Sequence, residues 1–311
     1  MDSLLETLHE RNSAFTPELP GLQIAWDSTS LGLLKECPRK YLIQNVLGYV
    51  SPRAKTALTF GLAYHAGLES FDIALAKGAD RRTALHSAIR RALSLVADFE
   101  SDDTRRTKET LIRSIIWYVD HFENDPCTTK IRADGVPMVE LTFKYDSGVT
   151  IAGQSILFTG HLDRVVEFNG QTWISDRKTT GTTLSSRYFD NFSPDNQMSM
   201  YTLAGQMIFS EPASGIVIDA AQLAVNFTRF GRGFAPRTKK QVVEWYEEAV
   251  LWLHLAAQFA KARHWPANDK SCGNYGGCPF RTVCSKDPSV RLSYLEGDFA
   301  KQIWNPLENR S

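Results

Sequence analysis

The stretch GHLDRVVEFNGQTWISDRKTTG, from Gly160 to Gly181, limits what this chain can fold into more than any other. Apolar and polar residues alternate on both sides of Asn169-Gly170, and Asn-Gly between two alternating runs signals a β-hairpin. The period of two sends Asp176 and Lys178 to the same face of the second strand. Hairpin pairing then brings Asp163 of the first strand beside them, so two carboxylates and an ammonium meet. Such a group admits two readings. One is a solvent-facing cross-strand pair, worth about 0.2–1 kcal/mol. The other is a site for Mg2+ or Mn2+, hard cations that prefer oxygen ligands.

The surroundings give the hairpin a fold. Upstream, VPMVELTFKYDSG and VTIAGQSILFTG also alternate and are rich in β-branched and aromatic residues, which predicts three consecutive strands. Before them, residues 28–48 (interrupted by CPRK), 56–77, 81–97 and 104–123 carry apolar residues at helical spacing. After them come a helix near 195–210, a strand at 216–228 and a long helix at 238–263. The order predicts an α/β (α+β) core preceded by a helical lobe. The expected divisions are 1–130 for the lobe, 131–265 for the core and 266–311 for a C-terminal cysteine segment.

Composition excludes little. The chain has 311 residues, 43% of them hydrophobic, enough for one large domain or two small ones. Lys+Arg and Asp+Glu are 35 each, but a neutral total leaves nucleic acid open, because local fields attract phosphates. The acidic start MDSLLETLHERNSAF does not read as a signal peptide, and no run approaches the ~20 apolar residues of a membrane span. The expectation is a soluble protein of the cytoplasm (the host's, if viral) with reduced thiols and no membrane partner.

With Gly160-x-x-Asp163 on one strand and Asp176-x-Lys178 on the next, the chain resembles the PD-(D/E)XK nuclease superfamily. Within it, the chain resembles the branch that includes RecB, AddB and the iron-sulfur nucleases of CRISPR adaptation. The resemblance implies a restriction-endonuclease-like central mixed sheet flanked by helices. Asp163 and Asp176 become metal ligands and Lys178 the catalytic lysine. His65, with Gly61 in FGLAYHAGLESF, completes the metal shell together with the carbonyl of Arg177. Gln197 and Tyr201 of QMSMY, one helical turn apart, would steady the DNA strand. Glu140 in MVELTF is either a further or second-metal ligand or a solvated strand glutamate.

Three of five cysteines, Cys272, Cys278 and Cys284, fall within SCGNYGGCPFRTVCS. The resemblance implies that they join Cys37 of LLKECPRKYLIQ around a [4Fe-4S] cluster, four thiolates matching its ligand count. The cluster would tie the start of the helical lobe to the end of the chain. Four-thiolate Zn2+ is the alternative. Cys127 fits no motif and reads as a free thiol.

Basic residues recur near the proposed centre: Arg39 and Lys40, then Arg105, Arg106 and Lys108. RFGRGFAPRTKK adds Arg229, Arg232, Arg237, Lys239 and Lys240 with Phe230 and Phe234, the composition of a flexible loop that follows a phosphate backbone. The resemblance implies a metal-dependent DNA nuclease, a single-strand or end-directed exonuclease in repair, recombination or viral replication. The alternative is a non-catalytic DNA-binding module with a structural iron-sulfur or zinc site. No G-x-x-x-x-G-K-[ST] occurs, and a helicase or other replication or recombination protein is the expected partner.

Overall fold

Capping side chains and one proline set the helices. In the computed structural model, which describes residues 5–51 and 54–308, Asp27 caps helix α1 (Ser28–Glu36) by accepting from Ser30 N at 2.8 Å. Cys37 is extended (φ −163°, ψ 111°) ahead of Pro38 and ends that helix, because proline bars its predecessor from the α region. Residues 28–48 are therefore α1, a short turn of helix at Pro38–Tyr41 and a π-helical Leu42–Val46. Three longer helices follow: α2 (Ala54–Ala76), α3 (Arg81–Ser94) and α4 (Lys108–His121). Asp80 and Thr107 cap the last two.

The longer strands are β1 (Val139–Ile151), β2 (Gln154–Phe168) and β3 (Gln171–Thr180), then β4 (Gly215–Leu223) and β5 (Thr228–Pro236). Asn169 and Gly170 take φ of 51° and 72°, the left-handed pair that a two-residue hairpin demands. Between β3 and β4 lie α5 (Ser186–Asp190) and α6 (Asn196–Ile208), and α7 (Lys239–Ala262) follows β5. Because helices make the crossover, β3 and β4 pair parallel, whereas β2–β3 and β4–β5 are antiparallel. Every residue of β4 is buried, as befits a central strand. The result is a mixed sheet with helices against it. Where one strand was expected over 216–228 the chain makes a hairpin, and 228–236, expected as a flexible loop, is its second strand.

The residues fall into two compact units that interleave in sequence: 1–54, 142–160 and 243–311, and 55–141 with 161–242. In the second unit, Phe60, Tyr64, Leu68 and Phe71 of α2 pack with Ala88 of α3, Ile115 and Tyr118 of α4, and Ala221 and Leu223 of β4. These helices, expected in a lobe of their own, share a core with a strand. In the first unit, Trp26 stacks on Tyr41, Tyr41 packs tilted against Trp265, and Phe158 packs on Trp245. No described helix is long and apolar enough to cross a membrane.

Candidate active site

The β2–β3 ladder runs from Phe168↔Gln171 to Arg164↔Ser175. One residue further along stand Asp163 and Asp176, where a side chain takes over from the backbone ladder. Asp163 Oδ2 accepts from the Arg177 amide at 2.8 Å and lies 3.3 Å from His65 Nδ1. His65 comes from α2, and Gly61, one turn earlier, faces Thr179 of β3. Asp176 is 2% exposed. Its Oδ2 is ion-paired with Lys178 Nζ at 2.7 Å yet has no aligned hydrogen bond. Lys178 Nζ also donates to Gln197 Oε1 at 2.7 Å, and Gln197 Nε2 donates to Tyr201 OH at 3.1 Å. Asp195 caps α6 through Met198 N and so fixes the turn carrying Gln197.

The two carboxylates are tuned apart. Burial pushes Asp163 up, but the His65 charge and hydrogen bond, the Arg177 amide and Lys178 outweigh it and hold the group well below the usual range. Burial also pushes Asp176 up; there the attraction of Lys178 does not outweigh it, and Asp163 adds repulsion. Burial works against the Lys178 ammonium, but Asp176 and Asp163 raise its pKa nonetheless. Two carboxylates at one point therefore exceed what the local cations offset. A buried carboxylate oxygen without an aligned donor, an imidazole and a second carboxylate form a donor set that fits a divalent cation. Among the described residues no three such groups already close on one point; His65 and Lys178 each hold one carboxylate.

Arg177, one position from both Asp176 and Lys178, turns to the opposite face. Its guanidinium pairs with Asp72 of α2, and Asp72 lies 3.8 Å from Arg164. Along the same row, Asp219 pairs with Arg232 at 3.0 Å and accepts from Tyr118 OH at 2.5 Å. Asp125 joins Arg232 to Arg164. Only the backbone of Arg177 thus belongs to the site. Glu140 stands second in β1, half-buried, with a left-handed φ of 50°.

The proposed nucleic-acid residues divide. Arg232 is a member of the buried ion network, and Arg237 is buried, bonding Ser193 Oγ and the Phe192 carbonyl at 3.0 and 2.8 Å. Arg232 lies on the paired strand β5 and Arg237 just past its end, and the guanidinium of each is engaged within the protein. Arg229 is exposed, stacked 4.9 Å over Phe227, and Lys239 and Lys240 are exposed at the start of α7. Arg105 and Arg106 both pair with Asp103. Missed from the sequence were Asp72, Arg164 and Asp219. Asp72 sits two turns from His65 on one helix face, a spacing that could have linked the two.

In the first unit the cysteines share one neighbourhood. Cys37 Sγ accepts from Asn268 N at 3.3 Å, Asn268 Nδ2 bonds the Glu36 carbonyl and Arg39 N the Pro266 carbonyl. The Cys278 amide bonds the Cys272 carbonyl at 2.9 Å. Burial raises the Cys278 and Cys284 thiols. Cys284 and Cys272 add to the shift of the first and Cys37 to that of the second, while Lys40, Arg39 and Arg291 work against it. Among the described residues no three of these thiols close on one point as a metal-holding group. Cys127 is a free, buried thiol packed with Val166, Trp173 and Val217.

A mixed sheet whose hairpin delivers two aspartates and a lysine beside a helix imidazole defines a nuclease class. The family model of the PD-(D/E)XK nuclease superfamily matches residues 26–285, and the chain belongs to that superfamily. Among solved structures it is similar to a "Putative exonuclease" from Eubacterium rectale. Identity there is 11%, with 80% of this chain and 86% of that one covered and a TM-score of 0.48. It is also similar to SSO0001, at 12% identity, 80% and 84% coverage and a TM-score of 0.29. No curated protein matches the chain.

Proposed function

We propose that this nuclease cleaves DNA phosphodiester bonds with Mg2+ or Mn2+, acting on ends or single-stranded tails. The observation that carries the reading is the meeting of His65, Asp163, Asp176 and Lys178 one residue past the end of the β2–β3 ladder. His65, Asp163 and Asp176, with the Arg177 carbonyl, would hold the ion. When bound, it supplies an acidified water and screens charge on phosphoryl oxygens. Lys178, an ammonium that donates to Gln197 Oε1, acts as a donor rather than a base. It orients the attacking oxygen and offsets negative charge on the phosphoryl group. Gln197 and Tyr201 keep Nζ aimed. End-directed cleavage, a repair, recombination or viral-replication setting and a helicase partner are what the RecB/AddB-like resemblance implies.

Cys37, Cys272, Cys278 and Cys284 hold a [4Fe-4S] cluster in this reading, with Zn2+ as the alternative. Support comes from their shared neighbourhood and its Arg39, Lys40 and Arg291 rim. The test is anaerobic purification with iron, sulfide and zinc assays, then cleavage of end-labelled linear and circular DNA in Mn2+. Loss of linear DNA by the wild type and not by Lys178→Ala supports the reading. Equal degradation by both, or by neither, overturns it, and cutting of circles overturns the end-directed mode.

A further inference from the structure

In the register of the sheet, Asp176 stands beside Ile218 and Ile218 beside Gly233; Lys178 stands beside Ala220 and Ala220 beside Gly231. Paired residues share a face, so the two glycines continue the rows that Asp176 and Lys178 begin. On them lies Phe189 of α5. A Cβ at Gly233 would come within 2.3 Å of Phe189 Cδ1, and one at Gly231 within 3.5 Å of its Cζ and 3.3 Å of Leu184 Cδ1. FGRGF therefore offers bare backbone as a seat, and α5 is held on the active-site face.

The seat positions the next residue back. The Tyr188 ring packs edge-on against Phe189 and Phe192, with centroids 5.1 and 5.5 Å away. Its pKa is pushed up to about 12 by burial and then by the charge of Asp176, so the phenol is neutral and a donor near neutral pH. Among the described residues its hydroxyl has no hydrogen-bond partner, whereas its ring is claimed by two neighbours.

We propose that Tyr188 is a substrate-contacting residue, its hydroxyl donating to a phosphate oxygen of the DNA strand beside the Asp163–Asp176 centre. This deepens, and rests on, the nuclease reading above. Phosphate fits because it is an acceptor, as the hydroxyl requires, and because Asp176 and Lys178 begin the same rows of the face.

Tyr188→Phe removes only the oxygen. The full chain is titrated with fluorescein-labelled single-stranded DNA in Ca2+, read by anisotropy, and assayed for cleavage in Mn2+. The variant is expected to bind about five- to tenfold more weakly and to show a matching rise in KM, with kcat and melting temperature near wild type. Gly233→Ala, which displaces Phe189, should weaken binding similarly. Wild-type affinity in Tyr188→Phe overturns the assignment while cleavage by the wild type leaves the nuclease reading standing. A wild type that neither binds nor cleaves, with Lys178→Ala as control, removes both.

Discussion

Asp176 and Lys178 leave one face of β3 and Arg177, between them, leaves the other, so adjacent residues serve two charged clusters built on different terms. Behind the strand, Arg164, Arg177 and Arg232 meet Asp72, Asp125 and Asp219, three cations against three anions, with Tyr118 bonded to Asp219. In front, Asp176 is pushed up and Asp163 held down within one hairpin. His65 and Lys178 there keep 30% and 27% of their side chains exposed. Burial of charge alone does not mark function. The balanced cluster fixes α2 and α4 to the sheet; the one with an oxygen lacking an aligned donor, open to solvent, can take a ligand.

The contrast is broken most directly by one substitution on each side. Lys178→Ala should lower DNA cleavage by about 10^2–10^4-fold while the melting temperature stays near wild type, since Asp176, already pushed up by burial, can take a proton when its cation is gone. Asp72→Ala should do the reverse in kind, costing about 3–5 kcal/mol of stability, because it strands Arg177 in the interior. Urea unfolding followed by circular dichroism measures the second. An Asp72→Ala protein as stable as wild type would mean that the rear cluster is not a brace.

How far the sequence reveals this contrast depends on the range of the forces involved. Asn169-Gly170 and strand alternation are local, and they placed Asp176 and Lys178 on one face without further help. Gln197 and Tyr201, one turn apart on a capped helix, were likewise legible as a pair. That Gln197 meets Lys178 was not, because it depends on the path between β3 and α6. The partners of Arg232 were hidden for a similar reason. Basic, glycine-containing composition resembles a loop until the pairing from Leu223↔Thr228 to Gly215↔Pro236 makes it a strand. Once it is a strand, Arg232 falls in the Asp219 row. Pro38 cut the first helix as its chemistry requires, but partners such as Asn268 for Cys37 lie too far along the chain for periodicity to find.

A subtler test uses pH. In the folded chain Asp176 holds its proton to a higher pH than in the unfolded chain, chiefly through burial. Its ionisation therefore removes stability as pH rises from the ordinary carboxylate range through the raised value. Metal-free Asp176→Asn should melt higher than wild type at neutral pH, and the gain should fade as pH falls back through that window. Mn2+ should stabilise the wild type, by about 2.7 kcal/mol at a hundred times its dissociation constant, and the variant far less. A wild type indifferent to Mn2+ would put the front cluster in the same class as the rear one.

The smallest effect concerns what holds Lys178. Gln197→Ala removes one acceptor at 2.7 Å and leaves the Asp176 pair intact. One hydrogen bond contributes about 0.5–1.5 kcal/mol net, so kcat should fall roughly two- to tenfold with stability unchanged. If Gln197 works through Lys178, the loss disappears in a Lys178→Ala background, because partners in one network are not additive. If the two losses add, Gln197 meets the DNA strand itself, as the sequence resemblance implied. A cycle of the four proteins, assayed for cleavage of the same labelled oligonucleotide, separates the two: coupling places Gln197 behind the lysine, additivity places it beside the substrate.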